Sequence, residues 1–211
     1  MTEDEARTWL DQNFNVSRET WEKLEAFITF LKVEAARQNL ISASTLDHIW
    51  ARHIVDSAQL LMLAPSEPGQ WIDLGSGAGF PGIVVAILAK EMKPDLHVTL
   101  VESDLRKATF LRQAAQSLAL PVAVRSNRIE SLDPLNADVL SARALAPLSD
   151  LLAYADRHLA AGGVAIFPKG ARYAEELAAA QENWAFDADT QQSHSDADAA
   201  ILVIRNIHRH D

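Results

Sequence analysis

Apolar positions follow two different periods along this chain, and the change falls near residue 65. In residues 1–64 apolar side chains recur every three or four positions, the period of amphipathic helices. Thr2 with Glu5 three residues later reads as a capping box opening a first helix. Ser17 reads as the cap of a second, whose stripe is Trp21, Leu24, Ile28, Leu31 and Ala35. Ser44, with Asp47 three residues on, predicts the start of a third. That helix carries Leu46, Trp50, Ile54, Ala58 and Leu61 on one face, and Pro65 and Gly69 end it.

From Trp71 short apolar runs alternate with helical stretches. WIDL predicts a strand, with a helix after it to about Glu91 in which Pro81 takes the first helical position. LHVTLVE predicts a second strand, and Ser103 the cap of a helix from Asp104 to about Ala119. PVAVR and ADVLSARA predict two further strands, with a helix from about Leu148 to Leu159 after the second. A strand in GGVAIFPKG ends near Pro168, and a helix covers about Tyr173–Ala180. WAFDA and AILVIRN predict a closing pair of strands, and the polar DADTQQSHSDADA between them a loop. Strands alternating with helices define an α/β class with a mainly parallel sheet covered on both faces. The last two strands, with no helical stretch between them, predict an antiparallel hairpin at one edge. Residues 1–64 are expected to be a helical cap packed on a core formed by 65–211.

The stretch WIDLGSGAGFPGIVVAIL carries the first chemical signal. Gly75, Gly77 and Gly79 stand at one turn after a strand, where a ligand lies against bare backbone. The dinucleotide fingerprint G-x-G-x-x-G is not met, because Phe80 holds its third position. A pyrophosphate needs a tight anion nest at the helix start; S-adenosylmethionine has no phosphate and carries a cationic sulfonium. Asp73 beside the turn would offset that charge, and Glu102, ending the second strand, is placed to accept hydrogen bonds from ribose hydroxyls. A turn serving only helix–strand packing is the plainer alternative.

Charge changes the picture of the partner. The chain of 211 residues carries 29 acids and 19 bases, a net −10 that by itself opposes binding to nucleic acid. The excess acid lies at the two ends: residues 1–34 hold 8 acids and 4 bases, 35–130 hold 9 of each, and 131–211 hold 12 and 6. The neutral middle holds Arg106, Lys107, Arg112, Arg125 and Arg128, which form either a local basic face or ordinary solvated charges. No apolar run approaches the ~20 residues of a membrane span, and the acidic start lacks a signal-peptide layout; a soluble cytoplasmic protein is expected. Cysteine is absent, which removes disulfides and thiolate metal sites.

Seven segments in order then become specific together: NLIS, RHIVDS, DLGSGAGFPGI, VESDLRKATFLR, SNRIE, SARA and FPKG. From Asn39 to Gly170 the chain resembles the bacterial 16S rRNA guanine-N7 methyltransferase family, also called the glucose-inhibited division protein B family. The resemblance implies a class I S-adenosylmethionine-dependent methyltransferase, Rossmann-like fold. It implies a cofactor site including Gly75, Phe80, Glu102, Ile129, Glu130 and Arg143, to which the turn adds Asp73 and Gly77. It implies one guanine of a 16S rRNA loop near the decoding site as substrate, reached within the 30S subunit or an assembly precursor. No membrane contact is expected, and a monomer is.

The chemistry of such a substrate suits the residues. Guanine N7 has a free lone pair and no proton, so methylation needs no general base; positioning and electrostatics suffice. Methylation at pyrimidine C5 usually uses a cysteine, and none is present. Amino-group methylation usually shows an Asn/Asp-Pro-Pro-aromatic motif where this chain has SARALAPL, and no carboxylate cluster for a metal assembles. Arg143 and Lys169 are the candidate catalytic residues, at the ends of the fourth and fifth strands. Arg143 would hold substrate or cofactor, or else pair with Asp138 or Asp150. Lys169 would contact phosphate, or else be an exposed loop lysine. Arg52, His53 and Lys169 are candidates for contact with RNA. Arg52 with Asp56 otherwise forms an i,i+4 ion pair, and His53 otherwise sits in the core. His208 and His210 read as a frayed terminus, and the five tryptophans as core. A methyltransferase for a small molecule or protein, an NAD-linked oxidoreductase and a non-catalytic ribosome-binding module are the rival readings.

Overall fold

Side chains alternate across the first strand so that Trp71 and Asp73 face one side of a sheet and Ile72 and Leu74 the other. The computed structural model describes residues 1–210, the side chains of residues 43 and 44 excepted. Seven strands form a single sheet: β1 (Gln70–Leu74), β2 (His97–Val101), β3 (Val122–Arg125), β4 (Ala137–Ala142), β5 (Leu159–Lys169), β6 (Trp184–Gln192) and β7 (Ala200–Arg209). Their order is β3-β2-β1-β4-β5-β7-β6. Pairs among β1 to β5 are parallel, while β7 pairs antiparallel with both β5 and β6. Chain order therefore reverses between β1 and β4, the switch point at which open α/β sheets bind ligands.

Helices cover both faces, as the alternation predicts. On one face α1 (Glu3–Phe14), α2 (Arg18–Ala35), α3 (Asp56–Leu63), α4 (Gly82–Met92) and α5 (Leu105–Ser117) bury Leu10, Leu24, Phe27, Leu60, Ile83 and Phe110 in one core with Trp71 and Leu100. On the other face α6 (Leu148–His158) and α7 (Tyr173–Gln181) close a second core around Leu140, Leu152, Phe167 and Leu202. The Thr2 capping box forms, with both reciprocal bonds present. Ser17 caps α2 and, with Thr20, also donates to Glu91 near the end of α4, which fastens the N-terminal helices to the sheet domain.

Several boundaries differ from the sequence pattern, each for a local reason. The single third helix is instead a 3₁₀ segment (Ala43–His48), a π-helical segment (Trp50–Val55) and α3. Five of the six π residues are buried, so the segment turns most of its side chains inward. Glu3 of α1 supports it from a distance, accepting from the backbone N–H of Trp50 and Ala51 at 3.1 and 3.0 Å. The expected cap at Ser44 lies outside the described side chains. Asp104 rather than Ser103 caps α5, taking the N–H groups of Arg106 and Lys107 at 2.8 and 3.2 Å. Pro81 stands at the cap and Gly82 opens α4. β5 begins at Leu159, directly after α6 and ahead of the paired glycines 162 and 163. The polar stretch expected as a loop is strand through Gln192, because β7 supplies a pairing edge that hydrophobicity does not reveal; only 193–199 form the connection. The C-terminus is ordered strand to Arg209 rather than frayed at His208.

Candidate functional site

The carboxyl ends of β1 to β5 carry two cavities that meet at Ala144. The smaller, about 270 Å³, is floored by Gly75 and Gly77 and walled by Glu102, Lys107, Arg128, Ile129, Glu130, Leu145 and Tyr154. The glycines divide their work. Gly77, at φ 50°, has only the Gly75 carbonyl, at 3.7 Å, near the place of a Cβ, so its bare face is open to the cavity. Gly82 leaves no such room: a Cβ there would meet Leu100 at 2.2 Å and Asp73 at 2.8 Å, so this glycine serves the close packing of α4 on the sheet. Packing therefore accounts for Gly82, while Gly77 stays open to the cavity.

Glu102 is 7% exposed, and each carboxylate oxygen takes one backbone N–H: Oε2 from Gly77 at 2.9 Å and Oε1 from Asp104 at 2.8 Å. These bonds fix the carboxylate against the glycine floor with lone pairs left for a ligand hydroxyl. Glu130 is held in turn by the Tyr154 hydroxyl at 2.7 Å, which lowers the pKa of Glu130 and pushes that of Tyr154 up to about 12.

Asp73 does not line this cavity. It lies fully buried beneath the turn, with Oδ1 accepting from Ser141 Oγ at 2.8 Å and Oδ2 from the Gly82 N–H at 3.2 Å; Ser141 Oγ accepts in turn from Trp71 Nε1 at 2.9 Å. Burial raises its pKa to about 6 against these hydrogen bonds. Its position makes it a clamp joining β1, β4 and the start of α4, one layer below the ligand space.

The larger cavity, about 510 Å³, lies on the other side of Ala144, between the end of β4, the π-helical segment, Lys169 and the β6–β7 connection. Arg143 stands at its wall. Its Nη1 donates to the Arg52 carbonyl at 3.1 Å and to Asp56 Oδ2 at 3.2 Å; its Nη2 donates to His53 Nδ1 at 2.7 Å; its Cζ lies 5.3 Å from the centre of the Phe80 ring. The expected pairing of Arg143 with Asp138 or Asp150 is absent, since Asp138 is occupied by the N–H groups of Gly69 and Gln70. The expected Arg52–Asp56 pair is absent too: the π-turn carries Asp56 toward Arg143 and leaves Arg52 exposed on the cavity wall. Ala144 adopts φ 53°, unusual for a residue with a Cβ, at the wall shared by both cavities.

Lys169 ends β5 and is nearly buried, at 9% side-chain exposure, not an exposed loop lysine. Its Nζ donates to Glu176 at 2.7 Å and to the Ala146 carbonyl at 3.1 Å, while the same Glu176 oxygen accepts from the Leu148 N–H. Lys169 and Glu176 thereby fasten the loop between β4 and α6, which includes Ala144 and Leu145. The β6–β7 connection closes the cavity from the far side. Ser195 donates to Asp56 Oδ1 at 3.1 Å, and Gln59 bonds both Ser193 and the His194 N–H.

The structure therefore brings Gly75, Gly77, Glu102, Ile129 and Glu130 to one cavity and Arg52, His53, Arg143 and Lys169 to the other. Asp73 and Phe80 lie behind them. Phe80 is buried, stacked on His53 at 4.7 Å and 15°. Asp56, Ser141, Leu145, Glu176 and Ser195 take parts that the sequence did not assign; Asp56, Ser141 and Ser195 lie 68 or more positions from the partners they bond, so no spacing signals them. Of the basic middle segment, Lys107 and Arg128 reach the smaller cavity, while Arg106, Arg112 and Arg125 are exposed on α5 and at the end of β3. Among the described residues no group of His, Cys, Asp and Glu could hold a metal, and no helix is long and apolar enough to cross a membrane.

Comparison with known proteins shows the family and the fold. The family model described as GidB, rRNA small subunit methyltransferase G, matches residues 20–205. A ribosomal RNA small subunit methyltransferase G of Cereibacter sphaeroides is 52% identical over 191 residues, covering 90% of this chain and 93% of the relative. One from a Jannaschia species is 47% identical over 208 residues, covering 99% and 98%. Among solved structures, an S-adenosylmethionine-dependent O-methyltransferase of Thermotoga maritima superposes with a TM-score of 0.53 at 17% identity, covering 74% of this chain and 66% of the other. TYW2 of M. jannaschii, in complex with AdoMet, superposes with a TM-score of 0.53 at 16% identity, covering 75% and 76%. These two share the fold.

Proposed function

The chain belongs to the rRNA small subunit methyltransferase G family, and from that premise we propose that it methylates N7 of one guanine in 16S rRNA, with S-adenosylmethionine as methyl donor. The acceptor is presented by the 30S subunit or an assembly precursor, and the enzyme acts as a cytoplasmic monomer. The observation that carries this reading is the pair of adjoining cavities at the switch point, one glycine-floored with a fixed carboxylate, the other walled by arginine.

The smaller cavity suits the donor. Gly75 and Gly77 leave backbone room, Glu102 offers lone pairs to ribose hydroxyls, and Ile129 and Leu145 offer apolar surface to a base. When bound, S-adenosylmethionine supplies an electrophilic methyl on a sulfonium. The guanine is held in the larger cavity so that the N7 lone pair forms the new N–C bond while the electrons of the broken S–C bond stay on sulfur. Positive charge passes from sulfur to the purine ring, and no proton leaves, so no residue has to act as a base. Consistent with this, His53 at the larger cavity is kept neutral by burial and bonded to an arginine. The residues instead position: Arg143 offers donors to guanine O6 or to phosphate, Arg52 lies exposed toward the RNA, and Lys169 with Glu176 holds the wall that separates the ligands.

The test is incubation of 30S subunits from a strain lacking the enzyme with labelled S-adenosylmethionine, followed by nucleoside mass spectrometry. The expected product is 7-methylguanosine at one 16S position, reduced at least ~100-fold in the Arg143→Ala variant. A methyl found on a base amino group, a ribose or a protein would refute the assignment.

A further inference from the structure

His53 is bonded at its edge and stacked on its face, yet it has no role in a transfer that moves no proton. Its ring lies flat on Phe80, with centroids 4.7 Å apart and planes 15° apart. Phe80 directly follows the glycine turn that floors the donor cavity. At the ring edge, Nδ1 lies 2.7 Å from Arg143 Nη2. A guanidinium only donates, so Nδ1 is the unprotonated acceptor and the ring proton sits on Nε2. Arg143 itself lies 5.3 Å from Phe80, so His53, Phe80 and Arg143 form a closed triangle spanning the switch point between β1 and β4.

The π-helical segment makes this possible. It presents three acceptors to one guanidinium, namely the Arg52 carbonyl, His53 Nδ1 and, just after it, Asp56 Oδ2. Three of the five guanidinium hydrogens are thereby taken, which leaves two for ligands. A long arginine side chain with free torsions becomes a donor with a fixed direction. The imidazole is suited to stay an acceptor. Burial first, then the neighbouring Arg143 and Arg52, depress its basicity to about 3, so it does not protonate in the range where ribosomes are stable.

We propose that His53 is a positioning residue for methyl transfer: it locks the Arg143 guanidinium in a register set by the glycine turn, so that donor seating and acceptor alignment are coupled through one imidazole. The inference rests on the reading that Arg143 faces the reacting groups. In a reaction driven by geometry, misalignment of about 1 Å costs on the order of 100-fold in rate, and the lock therefore acts on kcat rather than on the affinity of either ligand.

Steady-state kinetics on 30S subunits test this with His53→Asn, His53→Gln, His53→Phe and Arg143→Ala, together with the His53→Gln, Arg143→Ala double variant. Asparagine can place an acceptor near the position of Nδ1; glutamine places it nearer Nε2; phenylalanine keeps the stack and has no acceptor. The expected kcat of the Phe and Gln variants falls by about 100-fold, with KM for 30S and Kd for S-adenosylhomocysteine within about threefold of wild type. The Asn variant recovers to within about tenfold. In the Arg143→Ala background, His53→Gln costs less than about twofold more, because the group it positions is gone. Equal losses in the Asn and Gln variants, a loss confined to KM, additive losses in the double variant, or full activity of Arg143→Ala would each overturn the proposal. A wild-type enzyme that produces no 7-methylguanosine would instead defeat the underlying reading of the substrate. Circular dichroism melting of each variant separates misfolding from misalignment, and the polar Asn and Gln variants carry the decision should the Phe variant not fold.

Discussion

At the residue scale, neighbouring glycines of one turn differ in what they do, and the difference is measurable. Gly77→Ala puts a methyl into open ligand space and pays only the left-handed backbone penalty, about 1–2 kcal/mol. Its expected effect is at least tenfold weaker binding of S-adenosylhomocysteine by calorimetry, with the protein still folded. Gly82→Ala drives a methyl into Leu100 and Asp73, and the expected loss is about 3 kcal/mol of unfolding free energy in urea titrations. Asp73 carries a second signature. Its folded pKa of about 6 lies above the usual carboxylate value, so the native state binds the extra proton and this group's stabilisation is fully present only below the unfolded pKa. It is lost as pH rises through about 6. Asp73→Asn lacks that titration, and the stability gap between wild type and variant is expected to widen by about 2–3 kcal/mol as pH falls from 7 to 4. A gap that stays constant with pH would show that Asp73 does not titrate there.

At the element scale the π-helical segment is the least regular part of the fold and the one closest to the chemistry. Its first two N–H groups, those of Trp50 and Ala51, are taken by Glu3, from the first turn of α1. Glu3→Ala leaves two partly buried donors without their acceptor, and the expected cost is about 1–3 kcal/mol in unfolding free energy. Because the same segment presents the acceptors for Arg143, the variant should also lose kcat on 30S subunits, whereas Glu19→Ala, on the exposed first turn of α2, should change neither. The sequence indicated helix here but not its pitch. Apolar periodicity of three and four fits 3₁₀, α and π turns alike over six residues, so the pattern does not select among them. β6 shows the same limit from the other side: Asp187 to Gln192 look like a loop because strand pairing through backbone groups asks nothing of side-chain hydropathy.

At the scale of the whole molecule, a net charge of −10 must work on a polyanion. Exposed bases without an ion pair among the described residues include Arg52, Arg106, Arg112, Arg125 and Arg128 at the carboxyl edge of the sheet and on α5, and also Lys32 on α2, Lys90 on α4, Arg157 on α6, and Arg205 and Arg209 on β7. Attraction to phosphate at the cavities then rests on the first group, against a net acidic charge that opposes binding of bulk RNA. The expected behaviour is efficient methylation of the 30S particle, at least tenfold weaker use of a short free hairpin of the same sequence, and activity that falls steeply between 50 and 200 mM salt, on the order of the loss expected for a few phosphate contacts. Equal use of hairpin and particle would mean that the RNA loop alone is the substrate.

The chain's own order of residues determined the α/β alternation, the parallel core, the terminal hairpin, the glycine turn and the carboxylate that follows β2. All of these are local: a period of two or three to four, a cap, a glycine with positive φ, each set by interactions within a few residues. The glycine turn and the strand ends pointed to Gly75, Gly77, Glu102, Arg143 and Lys169, whereas Ile129 and Glu130 came from the family resemblance. What only the tertiary structure decided is which of them pair. Asp56 lies four residues from Arg52 yet bonds Arg143, 87 positions away, and Glu176 caps α6 and holds Lys169. Those choices depend on where a wide helical turn and a returning hairpin deliver acceptors to buried cations, and burial of a charge is tolerated only where such partners converge. Convergence across the sheet is a property of three dimensions, and no spacing along the chain encodes it.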